Sequence, residues 1–515
     1  MNTENINLQQ KQDTLRIALN ADISTLHFAS SSKGSKINAA HGISMLFEGL
    51  TKLGEHDVIE PAIAERYTVS PNKRVYAFYL RECYWSDGNP IKSSDFAYAW
   101  KMCMNPKSKS LTVSPFYYHS IKNAEQYILG ECEESEIGIT CPDDKTLVVE
   151  LEYPAAYFLD LVSSPLFYPA PEHIAEVDPH WAEKSGIICN GPFCLSSWKH
   201  ESELRFKKNP SYWNAENVKL EKVYFYIIPD GTTALNMFRK GELDWIGSPF
   251  YRLSYDISKD VLIEGGSDSA GCWISLNIEE YPLNNKNFRK ALAYSLDRQS
   301  IVENIFHHTG AASTAMLPHC MRLQSNGYFE DNAPQKAQKH LNQALEELSI
   351  KKEDLPELEL LYIGDVELLK RMTQAIEDQW RRVLGLENIS IRPMEQNLFA
   401  STTVKGQYQM CISPLQTFVF DPVFFLNAFK ERSNNINKTN WEHPEFKKLF
   451  NASEHALGDI QRRRFLIDAE EILMEEMPII PVCSLNKRYA KNQKLKGEKV
   501  SSLQSVDFKY AYFED

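Results

Sequence analysis

Thirteen histidines and ten cysteines are the residues of this chain best suited to metal binding or nucleophilic chemistry, and their spacing favours neither. His307 and His308 are adjacent, so on a helix they would point about 100° apart and make a poor metal pair. Glu454 and His455 are expected at the surface. No two cysteines have C-x-x-C spacing, which leaves a zinc or thioredoxin-like site without support. Cys132/Cys141 and Cys189/Cys194 are close enough in sequence for local disulfides in an oxidising compartment, and buried free thiols are the other reading. A Gly-x-Ser-x-Gly elbow, a His-Glu-x-x-His pair and a Gly-x-x-x-x-Gly-Lys phosphate loop are all absent. The abundant carboxylates leave a glycosidase-type pair formally open. The balance points away from an enzyme, and no cofactor or metal is expected.

Composition narrows the partners. The chain has 515 residues, 43% hydrophobic and 24% charged, with a formal net charge of −13. That is globular rather than disordered, and long enough for two or three domains. The acidic balance argues against nucleic acid, which needs concentrated Lys and Arg. No run of 18 apolar residues exists to span a membrane. Residues 1–11 are polar and show no signal-peptide core, so they read as a tether before a first strand at Leu15–Leu19.

Strand and helix patterns alternate throughout, an α/β arrangement. Arg74–Leu80 and Lys145–Leu151 carry the β-branched and aromatic residues of strands. Ser94-Asp95 can cap a helix through Phe96, Ala99 and Trp100. Asn287–Ser295 places Phe288, Ala291, Leu292 and Ser295 on one face. Further helices are expected at Gln335–Leu348, Leu369–Leu384 and Gln461–Met474. Aromatic residues make up 11% of the chain, and most are expected in cores.

Several segments, in order, carry a resemblance. They are Leu46-Phe47-Glu48-Gly49-Leu50-Thr51; Pro61–Tyr67; Trp85-Ser86-Asp87-Gly88-Asn89-Pro90-Ile91 followed by Ser94-Asp95-Phe96 and Trp100; and Asn190-Gly191-Pro192-Phe193 with Trp198. Then follow Lys208-Asn209-Pro210-Ser211-Tyr212-Trp213, Lys240-Gly241-Glu242-Leu243-Asp244, Asn277 with Phe288–Arg298, and Ala469–Leu473 with Met477–Val482. Together they resemble the family 5 extracellular solute-binding proteins, which include oligopeptide and dipeptide receptors of ABC importers. Each motif by itself reads as a turn or a core residue, so the motifs identify a fold rather than a ligand contact.

The resemblance implies an α/β, two-lobed periplasmic-binding-protein clamshell (type II, cluster C-like) with an extra inserted α/β domain. Carried onto this sequence, lobe one is 12–47, 165–270 and 485–515, the extra domain 48–164, and lobe two 271–484. The implied role is a non-enzymatic, monomeric receptor that captures a peptide or peptide-like solute between its lobes. It would deliver that solute to an ABC permease and ATPase. The implied location is periplasmic, with the export signal removed and any membrane attachment limited to a lipid anchor. Glutathione, haem, nickel or a sugar are alternative ligands, and a clamshell-derived hydrolase is the reading from another class.

Family members hold the peptide's α-ammonium with an aspartate three residues before the acid of a D/E-P dipeptide. Here the dipeptide is Asp421-Pro422, and the anchor position holds Phe418. A buried ammonium without a counter-charge costs several kcal/mol. Either Asp421 serves instead, or the ligand is unusual. No acidic residue between Lys405 and Phe420 offers another anchor. The resemblance also points to Thr417, to Tyr117 and Tyr118 after Ser114-Pro115-Phe116, and to Lys36 (with Lys33) in the 31–37 loop. Trp273 beside Cys272 completes the set, with Ser484 and Leu485, where peptide receptors often carry tyrosines.

Overall fold

The structure, a computed structural model, describes residues 13–27, 36–54, 58–107, 117–248, 263–306, 310–364, 366–417, 419–501 and 506–514. The chain forms two compact units, Met1–Gly265 with Arg488–Asp515, and Gly266–Lys487. Both divisions fall inside long strands, Ile263–Leu276 and Ile479–Lys491.

In the first unit the strand Thr14–Leu19 runs parallel to Lys222–Ile227 and pairs Ile17 with Trp245 of Trp245–Gly247. Leu15, Ile17, Ala18 and Leu19 are wholly buried, as a strand covered on both faces requires. Glu203–Lys208 and Phe193–Lys199 extend the sheet as an antiparallel hairpin, and Tyr489, Ala490 and Lys491 close its other side. A separate antiparallel sheet joins Ala64–Val69, Val75–Leu80, Thr146–Glu150 and Ile139–Asp143. Its alternation puts Tyr76, Phe78, Leu80, Leu147 and Val149 inward. The helix Ser93–Met104 buries Phe96 and Trp100. It begins at Ser93, and Asp95 reaches back to accept the Lys92 amide at 2.9 Å. Ser94, expected as a cap, instead donates its hydroxyl to Glu172. Ahead of it Gly88 (φ +91°) turns the chain, a conformation open to glycine.

In the second unit Leu358–Ile363 runs parallel to Ile389–Met394 and to Met410–Gln416, and Met410–Gln416 runs antiparallel to Ile263–Leu276. Gly310–Ala312 pairs with residues 483–485 of Ile479–Lys491. The periodic helices appear as Lys286–Tyr294, Pro334–Leu348, Glu367–Leu384 and Asp459–Glu476. Asn285 caps the first of these by accepting the Phe288 amide at 3.0 Å, and Phe288, Ala291 and Leu292 are fully buried. Arg289 turns inward and donates to the carbonyls of Glu476 and Met477, where the last long helix ends and its dipole favours a cation. Arg298, fully buried, pairs with Asp331 at 2.7 Å and donates to the Pro481 carbonyl. One expectation is corrected: Glu454 lies buried on the helix Pro444–His455 and pairs with Lys430 at 3.2 Å, while its neighbour His455 is exposed.

Three of the motif segments of the first unit meet at one residue. Glu48 is 2% exposed and pairs with Lys509, itself 6% exposed. It also accepts from the Tyr212 hydroxyl at 3.0 Å and from the Trp213 indole. The Asn190 side chain both donates to and accepts from the Glu48 backbone, each at 3.0 Å. Gly191 presses on the same turn, and a Cβ there would lie 2.6 Å from the Leu46 carbonyl carbon. Backbone cannot yield cheaply, so Gly191→Ala is expected to cost about 1–3 kcal/mol, read as a lowered melting temperature with the fold retained by circular dichroism.

Candidate functional site

The residues singled out for ligand contact fall in both units, and each group is described within its own. In the second unit Thr417 and residues 419–421 follow the strand Met410–Gln416. The buried Thr417 hydroxyl bonds to both the carbonyl and the amide of Val419 at 3.1 Å. Asp421, 6% exposed, accepts a bidentate pair from Arg462 at 2.7 and 2.9 Å and caps Val423 at 2.9 Å. Its charge is thus matched by a guanidinium from a helix 41 residues on. Phe418 lies outside the described residues.

Trp273 is buried on the strand Ile263–Leu276, opposite Ser413, with its ring edge-on to Phe425 at 6.3 Å. Ser484 is buried on Ile479–Lys491, where its hydroxyl accepts the His319 amide at 2.9 Å. Behind it Glu470 accepts the amides of Met316 and Leu317 and the Tyr328 hydroxyl. Burial raises the Glu470 carboxyl above its ordinary range, against the pull of those donors and of Arg322. The Arg322 guanidinium reaches the Ala312 carbonyl and the Ser313 hydroxyl.

In the first unit Tyr117 is half-buried and its phenol is pushed up to about 12 by burial. Tyr118 is core: it is 1% exposed, donates to the Leu166 carbonyl at 2.7 Å and packs on Phe167. Lys36 opens the helix Lys36–Leu46. Lys33, Ser114, Pro115, Phe116, His307 and His308 lie outside the described residues.

The arrangement is one of buttressed turns and buried polar pairs. Among the described residues no group of three His, Cys, Asp or Glu side chains gathers to hold a metal, and no helix is long and apolar enough to cross a membrane. Sequence reasoning missed Arg462, since nothing in local spacing links it to Asp421. Glu470 stood inside a recognised motif, yet its partners come from a loop about 150 residues earlier.

Comparison with known proteins decides the family. Residues 58–437 match the bacterial extracellular solute-binding proteins, family 5 middle region. The chain belongs to the family 5 solute-binding proteins. It is 34% identical to the oligopeptide-binding protein OppA of Bacillus subtilis, over 92% of this chain and 88% of that protein. It is 31% identical to the dipeptide-binding protein DppE of the same organism, over 91% and 87%. Among solved structures, a periplasmic oligopeptide-binding protein of Borrelia burgdorferi superposes with a TM-score of 0.83 at 24% identity, covering 97% of this chain and all of that one. This solute-binding protein therefore shares the α/β binding-protein fold that its motifs implied.

Proposed function

We propose that the chain is the peptide receptor of an ABC importer, binding its ligand without turning it over and acting outside the cytoplasmic membrane. The observation that carries this reading is the 34% identity to an oligopeptide-binding protein along nearly the whole chain. The extracellular description of the family supports the location. The ligand contacts are Thr417, Phe418, Asp421, Trp273 and Ser484 in the second unit and Lys36, Tyr117 and Tyr118 in the first. Within that set Tyr118 acts by holding Tyr117 in place, since its own hydroxyl is spent on Leu166. Asp421 acts through its neighbours, because Arg462 occupies both its oxygens. Main-chain bonding of an extended peptide then carries most of the recognition. Residues 48–164 serve as the inserted domain of the first lobe.

Thermal-shift measurements against linear peptides, γ-linked peptides and non-peptide solutes test the proposal. A peptide at a hundred times its dissociation constant is expected to stabilise the protein by about 2.7 kcal/mol. Mass analysis of the recovered peptide is expected to show it intact. Silence from every linear peptide, with stabilisation by one non-peptide solute, would overturn the peptide reading. Cleavage of a bound peptide would overturn the binding-only reading.

A further inference from the structure

All ten cysteines are free thiols in this structure; Cys272 and Cys483 also meet but are both buried, and Cys189 with Cys194 is the pair that a reagent can reach. The Cys189 and Cys194 sulfurs lie 3.4 Å apart, with Cys189 donating. Both are fixed by their backbones. The Cys189 amide donates to the Ser86 hydroxyl at 3.1 Å, and its carbonyl accepts the Ser86 amide at 2.8 Å. Cys194 sits in the hairpin strand Phe193–Lys199, opposite Lys207. Cys189 is fully buried and Cys194 half-buried, so only one of the two sulfurs is open to a reagent from outside.

We propose that Cys189 and Cys194 form a dithiol–disulfide site, oxidised by a small-molecule disulfide through Cys194. The Cys194 thiolate attacks one sulfur of the reagent and expels the other half as a thiolate. The Cys189 thiolate then attacks the Cys194 sulfur and expels the second half. Two electrons pass to the reagent, two thiol protons are released, and one intramolecular S–S bond forms. Closing from 3.4 Å to a bond of about 2.05 Å needs each sulfur to move by about 0.7 Å. The hydrogen bond from Cys189 lowers the Cys194 thiol below its ordinary value, with Lys207 adding to the effect, which suits Cys194 to the first attack.

The bond would close a loop around Asn190-Gly191-Pro192-Phe193, the segment that clasps the Glu48 turn. Oxidation would therefore brace the buried centre of the first unit. This inference does not depend on which ligand the protein binds.

The test is to reduce the full-length protein, equilibrate it in glutathione buffers from fully reduced to fully oxidised, quench with acid, alkylate and map the peptides by mass spectrometry. The expected result is a Cys189–Cys194 linked peptide, lighter by two hydrogens, that grows with the oxidised fraction. In Cys189→Ala, glutathione should remain attached to Cys194. In Cys194→Ala, Cys189 should stay unmodified. Alkylation of both thiols in fully oxidised buffer, or linkage of either to another cysteine, would overturn the proposal. Because the wild-type protein supplies the main result, a variant that fails to fold leaves the test intact.

Discussion

Replacing Glu48 by glutamine is expected to destabilise the first unit by about 3–5 kcal/mol, the range found when one member of a buried ion pair is removed. The reason is what the substitution leaves behind. Lys509 is 6% exposed, and its buried ammonium would keep only the charge of Asp507, which lies beyond ion-pair distance. Tyr212 and Lys509 donate to one carboxylate oxygen and the Trp213 indole to the other, so the amide keeps a single acceptor and the substitution costs one donated hydrogen bond as well as the charge. Urea denaturation of Glu48→Gln, Lys509→Met and the double variant checks this. The double variant should lose much less than the sum of the singles, since an uncharged pair of similar volume is often tolerated. Additive losses would mean that the two charges do not interact.

The same pair makes a pH prediction. Burial pushes the Glu48 carboxyl upward, but the Lys509 charge and the donated hydrogen bonds outweigh it and leave it below its ordinary 4.5. Burial lowers Lys509, and Glu48 more than compensates, holding it above its ordinary 10.5. A depressed carboxyl contributes stability fully above pH 4.5 and loses it as pH falls through the lower folded value. A raised ammonium contributes fully below pH 10.5 and loses it as pH rises through the higher folded value. The wild-type advantage over the Glu48→Gln/Lys509→Met double variant, which carries neither charge, is therefore expected to be flat between those limits and to shrink outside them. An advantage that varied steeply near neutrality would place its origin elsewhere.

Replacing Arg462 by methionine is the second large effect. Asp421 would keep its Val423 cap but lose both guanidinium bonds while remaining buried. A loss of about 3–5 kcal/mol is expected for the second unit, partly recovered in Asp421→Asn/Arg462→Met. The bend at residues 419–421 would loosen with it. If that bend contacts ligand, as proposed, peptide affinity should fall at least tenfold, about 1.4 kcal/mol. Titration calorimetry below the melting temperature of the variant separates the two consequences. Reduced stability with unchanged affinity would remove the bend from the ligand surface.

The amino-acid sequence alone determined the α/β class, the long helices and the family, because each rests on local order. Helix periodicity in Lys286–Tyr294 and Pro334–Leu348, turn chemistry at Asp87-Gly88 and an ordered series of short motifs are all readable without a third dimension. Only the tertiary structure decided what the motif residues do. Glu48 meets Lys509 across 461 positions and Trp213 across 165. Asp421 meets Arg462 across 41. Glu454, expected at the surface, is buried and its charge is matched by Lys430, 24 positions earlier. A charge says nothing locally about its partner. Whether it is solvated or buried depends on which distant group the fold brings within a few ångströms, since only a matched charge can leave water at tolerable cost.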